Sequence, residues 1–274
     1  MKSIIKYLRK HSKETVVTKE NSLSYKTRLG TVGIILFFVI WAVGGYFLFK
    51  EPGHELFAGL LPAPTLKALL LLITDPDFWH SVYASLRRVV VGVSIAFIIG
   101  FPSGLIIGFY DKIRTISYPP IQLIRMTSPL SWMPIALLIF TSFESAIYFL
   151  ITMATIWPII LNTSLGVSHV NPQWIKMAQC QGATNRQLIF QIVIPASVPH
   201  ILTSLRLALG VAWIVLVPAE FLGVSSGLGY IINDARDTME YDRLMAIVLS
   251  IGIIGFVLDG FLQQIKNVFQ WSWH

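Results

Sequence analysis

Apolar residues run along this chain in long blocks, at about 30–49, 89–109, 119–141, 146–166, 200–222 and 244–263. About 20 apolar residues in a helix, at 1.5 Å each, cross a hydrocarbon core of about 30 Å. The pattern therefore predicts an all-α integral membrane chain with about six transmembrane helices. The first block is longer than a signal-peptide core and ends in Lys50-Glu51-Pro52, so it reads as an uncleaved anchor. Leu56–Ile73 is also apolar, but Pro62 and Pro64 interrupt it. Each proline removes a backbone donor that lipid cannot replace, which points to an interfacial or re-entrant segment and not a seventh span.

Composition supports the membrane reading. Of 274 residues, 54% are hydrophobic and 13% charged, about half the charge of ordinary globular chains. A soluble fold so built would expose large apolar patches, and a disordered chain would be poorer in large apolar groups. The net charge of +7 raises the question of nucleic acid. Eight of the 21 basic residues, however, precede residue 29: Lys2, Lys6, Arg9, Lys10, Lys13, Lys19, Lys26 and Arg28. A basic cluster flush against an apolar run is a topology and headgroup signal, so membrane lipids and not nucleic acid are the expected partners. Residues 1–29 are read as a basic cytoplasmic tail, in which Ile4, Ile5 and Leu8 could share the apolar face of a short interfacial helix. Residues 30–274 form the transmembrane domain.

Orientation follows from the remaining cations. With the tail inside, thirteen Lys and Arg fall in inside segments and four (Lys50, Lys67, Arg236 and Arg243) in outside ones. That bias places both termini in the cytoplasm. Within the second block, Gly92, Ala96, Gly100, Gly104 and Gly108 put a small residue at every fourth position. Such a stripe lets a neighbouring helix backbone approach closely, so these five are read as a packing face. Pro102 and Ser103 in the same block predict a kink.

The longest inside segment after the tail is the loop at about 168–199. Asn171-Pro172 is a helix start and Gly182 a helix stop, so Trp174, Ile175, Ala178 and Cys180-Gln181 form a short amphipathic helix. Leu188 to Ile194 make a second apolar cluster ending at Pro195. A surface helix too short to span is suited to being gripped by another protein or to floating in headgroups.

This loop resembles the EAA loop of ABC importer permeases, whose pattern is E-A-A, three residues, G, nine residues, I-x-L-P. It falls here on Lys176-Met177-Ala178, Gly182 and Ile192-Val193-Ile194-Pro195, with Lys176 in place of Glu and Met177 in place of Ala. Leu61-Pro62-Ala63-Pro64, Ser85-Leu86-Arg87-Arg88, Pro129-Leu130-Ser131-Trp132-Met133-Pro134 and Ile156-Trp157-Pro158-Ile159-Ile160-Leu161-Asn162-Thr163 are similar to the nitrate, bicarbonate and sulfonate branch. The last two lean toward nitrate or nitrite, ahead of bicarbonate and then taurine or alkanesulfonate. The resemblance implies a type I importer permease in a bacterial inner membrane, working as a pair, most simply a homodimer. It also implies two ATP-binding cassette subunits, which carry ATP and Mg, and a periplasmic or lipid-anchored substrate-binding protein. The loop would then be the coupling helix, with Trp174, Lys176, Met177, Ala178, Gly182, Ala183, Ile192 and Pro195 at or shaping the ATPase contact.

The chain lacks a phosphate loop ending in Gly-Lys-Ser/Thr, and Gly223–Gly229 has no Lys and reads as a flexible turn. No ATPase site or cofactor is therefore expected on this chain. The six histidines show no metal-ligand spacing and Cys180 is the lone cysteine, so no metal is expected. For the translocation pathway the candidates are Arg125, Asn162, Arg206 and Glu220. Fixed cations lower the cost of removing an anion from water, although Arg125 and Arg206 could equally snorkel to headgroups. Glu220 is either a functional acid at membrane depth or a span-end acid paired with Arg236 or Arg243. Asn162 and Thr163 could hydrogen-bond across helices, and Trp132, Trp157 and Trp213 suit core or interface positions. The competing classes are a stand-alone secondary transporter, which would need inverted repeats or midplane ionisable groups, and an intramembrane enzyme, which would need a catalytic pair at depth.

Overall fold

A computed structural model describes residues 28–49, 55–221 and 223–271, so the basic tail and the helix expected at Ile4–Leu8 lie outside the described residues. Every regular element among the described residues is helical. Helix α1 covers Arg28–Leu48. A 3-10 turn, Glu55–Leu60, leads into α2 (Pro62–Ile73), followed by α3 (Pro76–Phe109) and α4 (Asp111–Arg125). A second 3-10 turn, Pro129–Trp132, precedes α5 (Met133–Ile139), α6 (Phe143–Ser168) and α7 (Pro172–Cys180). Helix α8 (Asn185–Leu188) runs through one π turn, Ile189–Val193, into α9 (Ile194–Glu220); α10 (Leu228–Asp237) and α11 (Tyr241–Trp271) complete the chain.

Five helices are long and apolar enough to cross a membrane: Arg28–Leu48, Pro76–Phe109, Phe143–Ser168, Asn185–Glu220 and Tyr241–Lys266. The block expected as a single span at 119–141 is instead divided. Helix α4 ends at Arg125, and after Met126–Ser128 the chain restarts as the short pieces Pro129–Trp132 and Met133–Ile139. Pro119, Pro120, Pro129 and Pro134 each remove an amide donor, which apolar content alone does not reveal. The fifth expected span, 200–222, is longer than its apolar core. Leu188 to Ile194 is not a separate surface cluster but the lower part of that helix, continuous through the π turn, with Pro195 tolerated in the first turn of α9. Helix α2 has 12 residues, too few to span.

Helices α3 and α6 pack along most of their length. Gly92, Ala96, Gly100, Gly104 and Gly108 are all buried on one face of α3. A Cβ at Gly92 would meet the Ile151 side chain, and one at Gly108 would meet Val167 and the Ser164 carbonyl. Ile147, Leu150 and Ile151 of α6 join Val89 and Val93 of α3 and Ala212, Leu216 and Ala219 of α9 in the central cluster. Trp132 and Trp213 pack at its edge. A second cluster ties Leu69 and Leu72 of α2 and Phe78 and Val82 of α3 to Leu228, Ile231, Ala246 and Ile247 of α10 and α11.

Candidate functional site

Three polar regions interrupt this apolar bundle. The first is at the end of α6 that leads into α7. Asn171 caps α7, its Oδ1 accepting from the Gln173 amide at 2.9 Å. The helix closes where Gly182 adopts φ +82°, with the Gly182 amide donating to the Gln179 carbonyl and Ala183 to Ala178, both at 3.0 Å. This is a Schellman close, which an L side chain at position 182 would strain. Thr184 and Gln187 then form a capping box that opens α8. Ile175 packs against the cluster of Val167, Val170 and Val193, as do Leu105 and Phe109 of α3, fastening α7 where α3, α6 and the turn before α9 converge. Its other side is open: Trp174 and Met177 are exposed, and with Ala178, Ile192 and Pro195 they line a cleft of about 600 Å³. The fold thus gathers five of the eight proposed coupling residues in one cleft. Lys176 is exposed beside it, and Gly182 and Ala183 shape the turn.

The second region is a cavity of about 690 Å³ among α3, α4, α6 and α9. Arg125 and Asn162, far apart in sequence, both line it, with Gln122, Tyr118, Trp157 and Leu207. The Asn162 amide donates to the Pro158 carbonyl at 2.8 Å, holding it beside the helix-breaking proline. Arg114, also in the wall, is tied to Asp111 at 2.5 Å. Arg125 makes no ion pair among the described residues, which leaves it as the free guanidinium of this cavity. Sequence reasoning missed Gln122 and Tyr118, which lie three and seven residues before Arg125, on one face of α4 by helical period.

Arg206 does not line this cavity. Its neighbour Leu207 does, while Arg206 bonds Asp259 of α11 through Nε (2.8 Å) and Nη2 (2.7 Å), and Nη1 donates to Gln263. The expected choice between pathway and snorkelling overlooked this partner.

The third region is an ion-pair network at the opposite end of α6. Glu220 pairs neither with Arg236, which bonds Asp237, nor with Arg243, which bonds Glu240 and Asp234. Its partner is Arg88 of α3: Nη1 donates to Glu220 Oε1 at 2.6 Å and to the Ser226 carbonyl at 2.7 Å. The same guanidinium donates to Glu144 of α6 through Nη2 (2.5 Å) and Nε (3.2 Å). Ser85 Oγ and the Gly229 amide also donate to Glu220, at 2.7 and 2.8 Å. Arg88 and Glu220 are each 1% exposed. Removing one partner of such a buried pair costs about 3–5 kcal/mol, because the other charge is left unpaired. The turn at 223–229 is tied to the bundle through the Ser226 carbonyl and the Leu228 and Gly229 amides. Gly227, at φ +121°, lies so close to Arg88 and Glu220 that a Cβ there would collide with both. Glu220 is thus separated from Arg125 and Asn162.

A short surface helix beside a cleft, a cavity with one unpaired arginine among the described residues and a bundle of membrane-length helices set the context for comparison with known proteins. The family of binding-protein-dependent transport system inner membrane components matches residues 92–267. The chain belongs to this family. The permease is 30% identical over 263 residues to the nitrate import permease protein NrtB of Synechocystis sp., covering 91% of this chain and 93% of that one. It is 32% identical over 255 residues to the bicarbonate transport system permease protein CmpB of Synechococcus elongatus, covering 87% and 88%. Among solved structures, an inward-facing MetNI methionine ABC transporter superposes with a TM-score of 0.61 at 16% identity, over 71% of the permease and 98% of that chain. A bacterial alginate ABC transporter gives 0.54 at 18% identity, over 91% and 96%. These likenesses show the fold. The permease is a multi-pass inner-membrane protein of the ABC importer type.

Proposed function

We propose that this permease forms the membrane path of an ATP-driven importer for a small planar oxyanion, nitrate or nitrite first. The observation that carries the reading is the free Arg125 guanidinium in a cavity whose other cation, Arg114, is already paired with Asp111. A planar fork of donors matches a trigonal oxyanion, and charge-assisted bonds of this kind are about twice as strong as neutral ones. Asn162 and Gln122 add neutral polar contacts, and Asp111 holds Arg114, so no second free cation traps the ion. A path must bind weakly enough to release.

The division of labour follows the family. The cleft beside α7 receives an ATP-binding cassette subunit, two of which hold the ATP and Mg, and this chain contributes no ATPase chemistry. Two permease copies enclose the path, both termini are cytoplasmic, and a binding protein delivers the anion at the end that carries Arg88. Bicarbonate is the second reading, supported by a bicarbonate permease that is 32% identical. The two ions share charge and planar shape.

The test begins with the complex co-purified from native membranes in gentle detergent and reconstituted with its binding protein. ATP-dependent uptake of isotope-labelled nitrate, nitrite, bicarbonate and taurine is then compared. Nitrate or nitrite uptake suppressed by excess unlabelled nitrate is expected. Bicarbonate uptake alone installs the second reading, taurine uptake alone overturns the planar-oxyanion reading, and transport without ATP overturns the importer.

A further inference from the structure

Helices α9 and α11 touch at two levels and part between them. At the upper contact Trp213 lies against Gly255, where a Cβ would meet its indole nitrogen, and donates to the Ile251 carbonyl at 3.2 Å. At the lower contact Arg206 grips Asp259. Between them opens a groove of about 290 Å³, walled by Leu86 and Val90 of α3, Leu209 and Gly210 of α9, and Leu258 and Leu262 of α11. Asp259 is the one ionisable group in the wall. Gly210 has no atom within 4 Å of where its Cβ would stand, so the space is open at that point.

Three observations identify the occupant. The groove lies in helices of membrane length and opens beside Phe261, 61% exposed on α11, so it is continuous with the surface that faces lipid. It is on another side of α9 from the oxyanion cavity, whose wall takes Leu207 and Val211, so an occupant here leaves the path free. The third is a polarity ladder along α11. Lys266 and Gln263 fall on the same helical face as Asp259, two turns and one turn further toward the α7 end. At 1.5 Å per residue, Lys266 is about 10 Å beyond Asp259. Lys266 makes no ion pair among the described residues.

We propose that this groove binds one phospholipid from the leaflet at the α7 end. Its phosphate meets Lys266, an ester carbonyl accepts from Arg206 or Gln263, and one acyl chain fills the space beside Gly210. Cation, neutral donor and apolar slot follow the order of phosphate, ester and chain in the lipid. With Asp259 neutralising Arg206, Lys266 leaves a net positive charge and so a preference for an anionic headgroup. The site stands whether or not the oxyanion reading does, because it needs only a membrane-spanning chain.

The experiment is native mass spectrometry of the assembled complex released from nanodiscs of equal phosphatidylglycerol and phosphatidylethanolamine. One phospholipid per permease chain is expected to survive, with phosphatidylglycerol favoured about fivefold, the pull of one Lys near an anionic surface. Gly210→Leu, which fills the slot, is expected to abolish retention and to raise the thermal stability of delipidated protein. Lys266→Gln is expected to keep the lipid and lose the headgroup preference. Equal retention by the parent and Gly210→Leu overturns the site, as does a parent that retains none. Should Gly210→Leu fail to assemble, Lys266→Gln decides, since a preference it does not alter contradicts the ladder.

Discussion

Two arginines of this bundle are treated in opposite ways. Arg88 is 1% exposed and its guanidinium is spent on two carboxylates and the backbone of a turn. Arg125 is exposed, lines a cavity and pairs with no acid among the described residues. A charge set among apolar helices is costly unless it is paired or hydrated. Where its bonds are saturated from within the fold, it serves the fold, and mutation should be read out as lost protein. Where its bonds are left open toward a cavity, the cost persists in the resting protein and is offset when a ligand of opposite charge arrives. Saturation, more than burial or sequence neighbourhood, separates the two.

The largest effect is expected at the saturated arginine. Arg88→Ala leaves Glu220 buried with its countercharge gone, a loss of about 3–5 kcal/mol. Monodisperse protein in a fluorescence size-exclusion assay should nearly disappear, and a variant that assembles and transports at the parental rate would erase the distinction. Gly227→Ala probes the same network from its turn. The added methyl meets Arg88 and Glu220 at φ +121°, and overpacking of this kind costs about 1–3 kcal/mol, seen as a lower melting temperature.

Arg206 sharpens the comparison from between. It is paired, yet its side chain is 32% exposed and that of Asp259 57%. Exposed pairs contribute about 0–1 kcal/mol, so Arg206→Gln should lower thermal stability slightly and leave oxyanion uptake per assembled complex unchanged. A specific fall in uptake would return Arg206 to the path. A modest effect on the path itself is expected at Asn162→Ala, which removes one neutral hydrogen bond worth about 0.5–1.5 kcal/mol. Uptake should fall by less than about tenfold with assembly intact, as checked by initial-rate transport at several oxyanion concentrations.

Much of the fold could be read from the chain because its signals are local and periodic. Apolar runs located the long helices, and the Asn171-Pro172 start with the Gly182 stop located α7. The divided segment at 119–141 escaped because its apolar residues read as one run, while the break at Met126–Ser128 is marked only by the polar Thr127-Ser128 and by Pro129. The Arg88 network escaped because the partners of Arg88 lie 56 to 138 residues away and meet it only when α3, α6, α9 and the turn after α9 converge. One signal was nevertheless present: Arg88 precedes Gly92, Ala96, Gly100, Gly104 and Gly108 in the same four-residue register, so it had to face the helix that the stripe packs against. Of the four proposed pathway residues, Arg125 and Asn162 meet in one cavity. Arg206 and Glu220 were drawn into pairs whose partners sit on other helices, at a separation no local pattern encodes.

The most direct test of the central claim is ATP-dependent oxyanion uptake by Arg125→Gln and Arg125→Lys complexes, normalised to assembled transporter. The account predicts normal assembly for both. It predicts uptake about 10- to 100-fold lower in Arg125→Gln, the worth of one charge-assisted contact of about 1.5–3 kcal/mol. Arg125→Lys should recover part of it, since the charge returns without the planar fork. Parental uptake by Arg125→Gln at normal assembly would contradict the account.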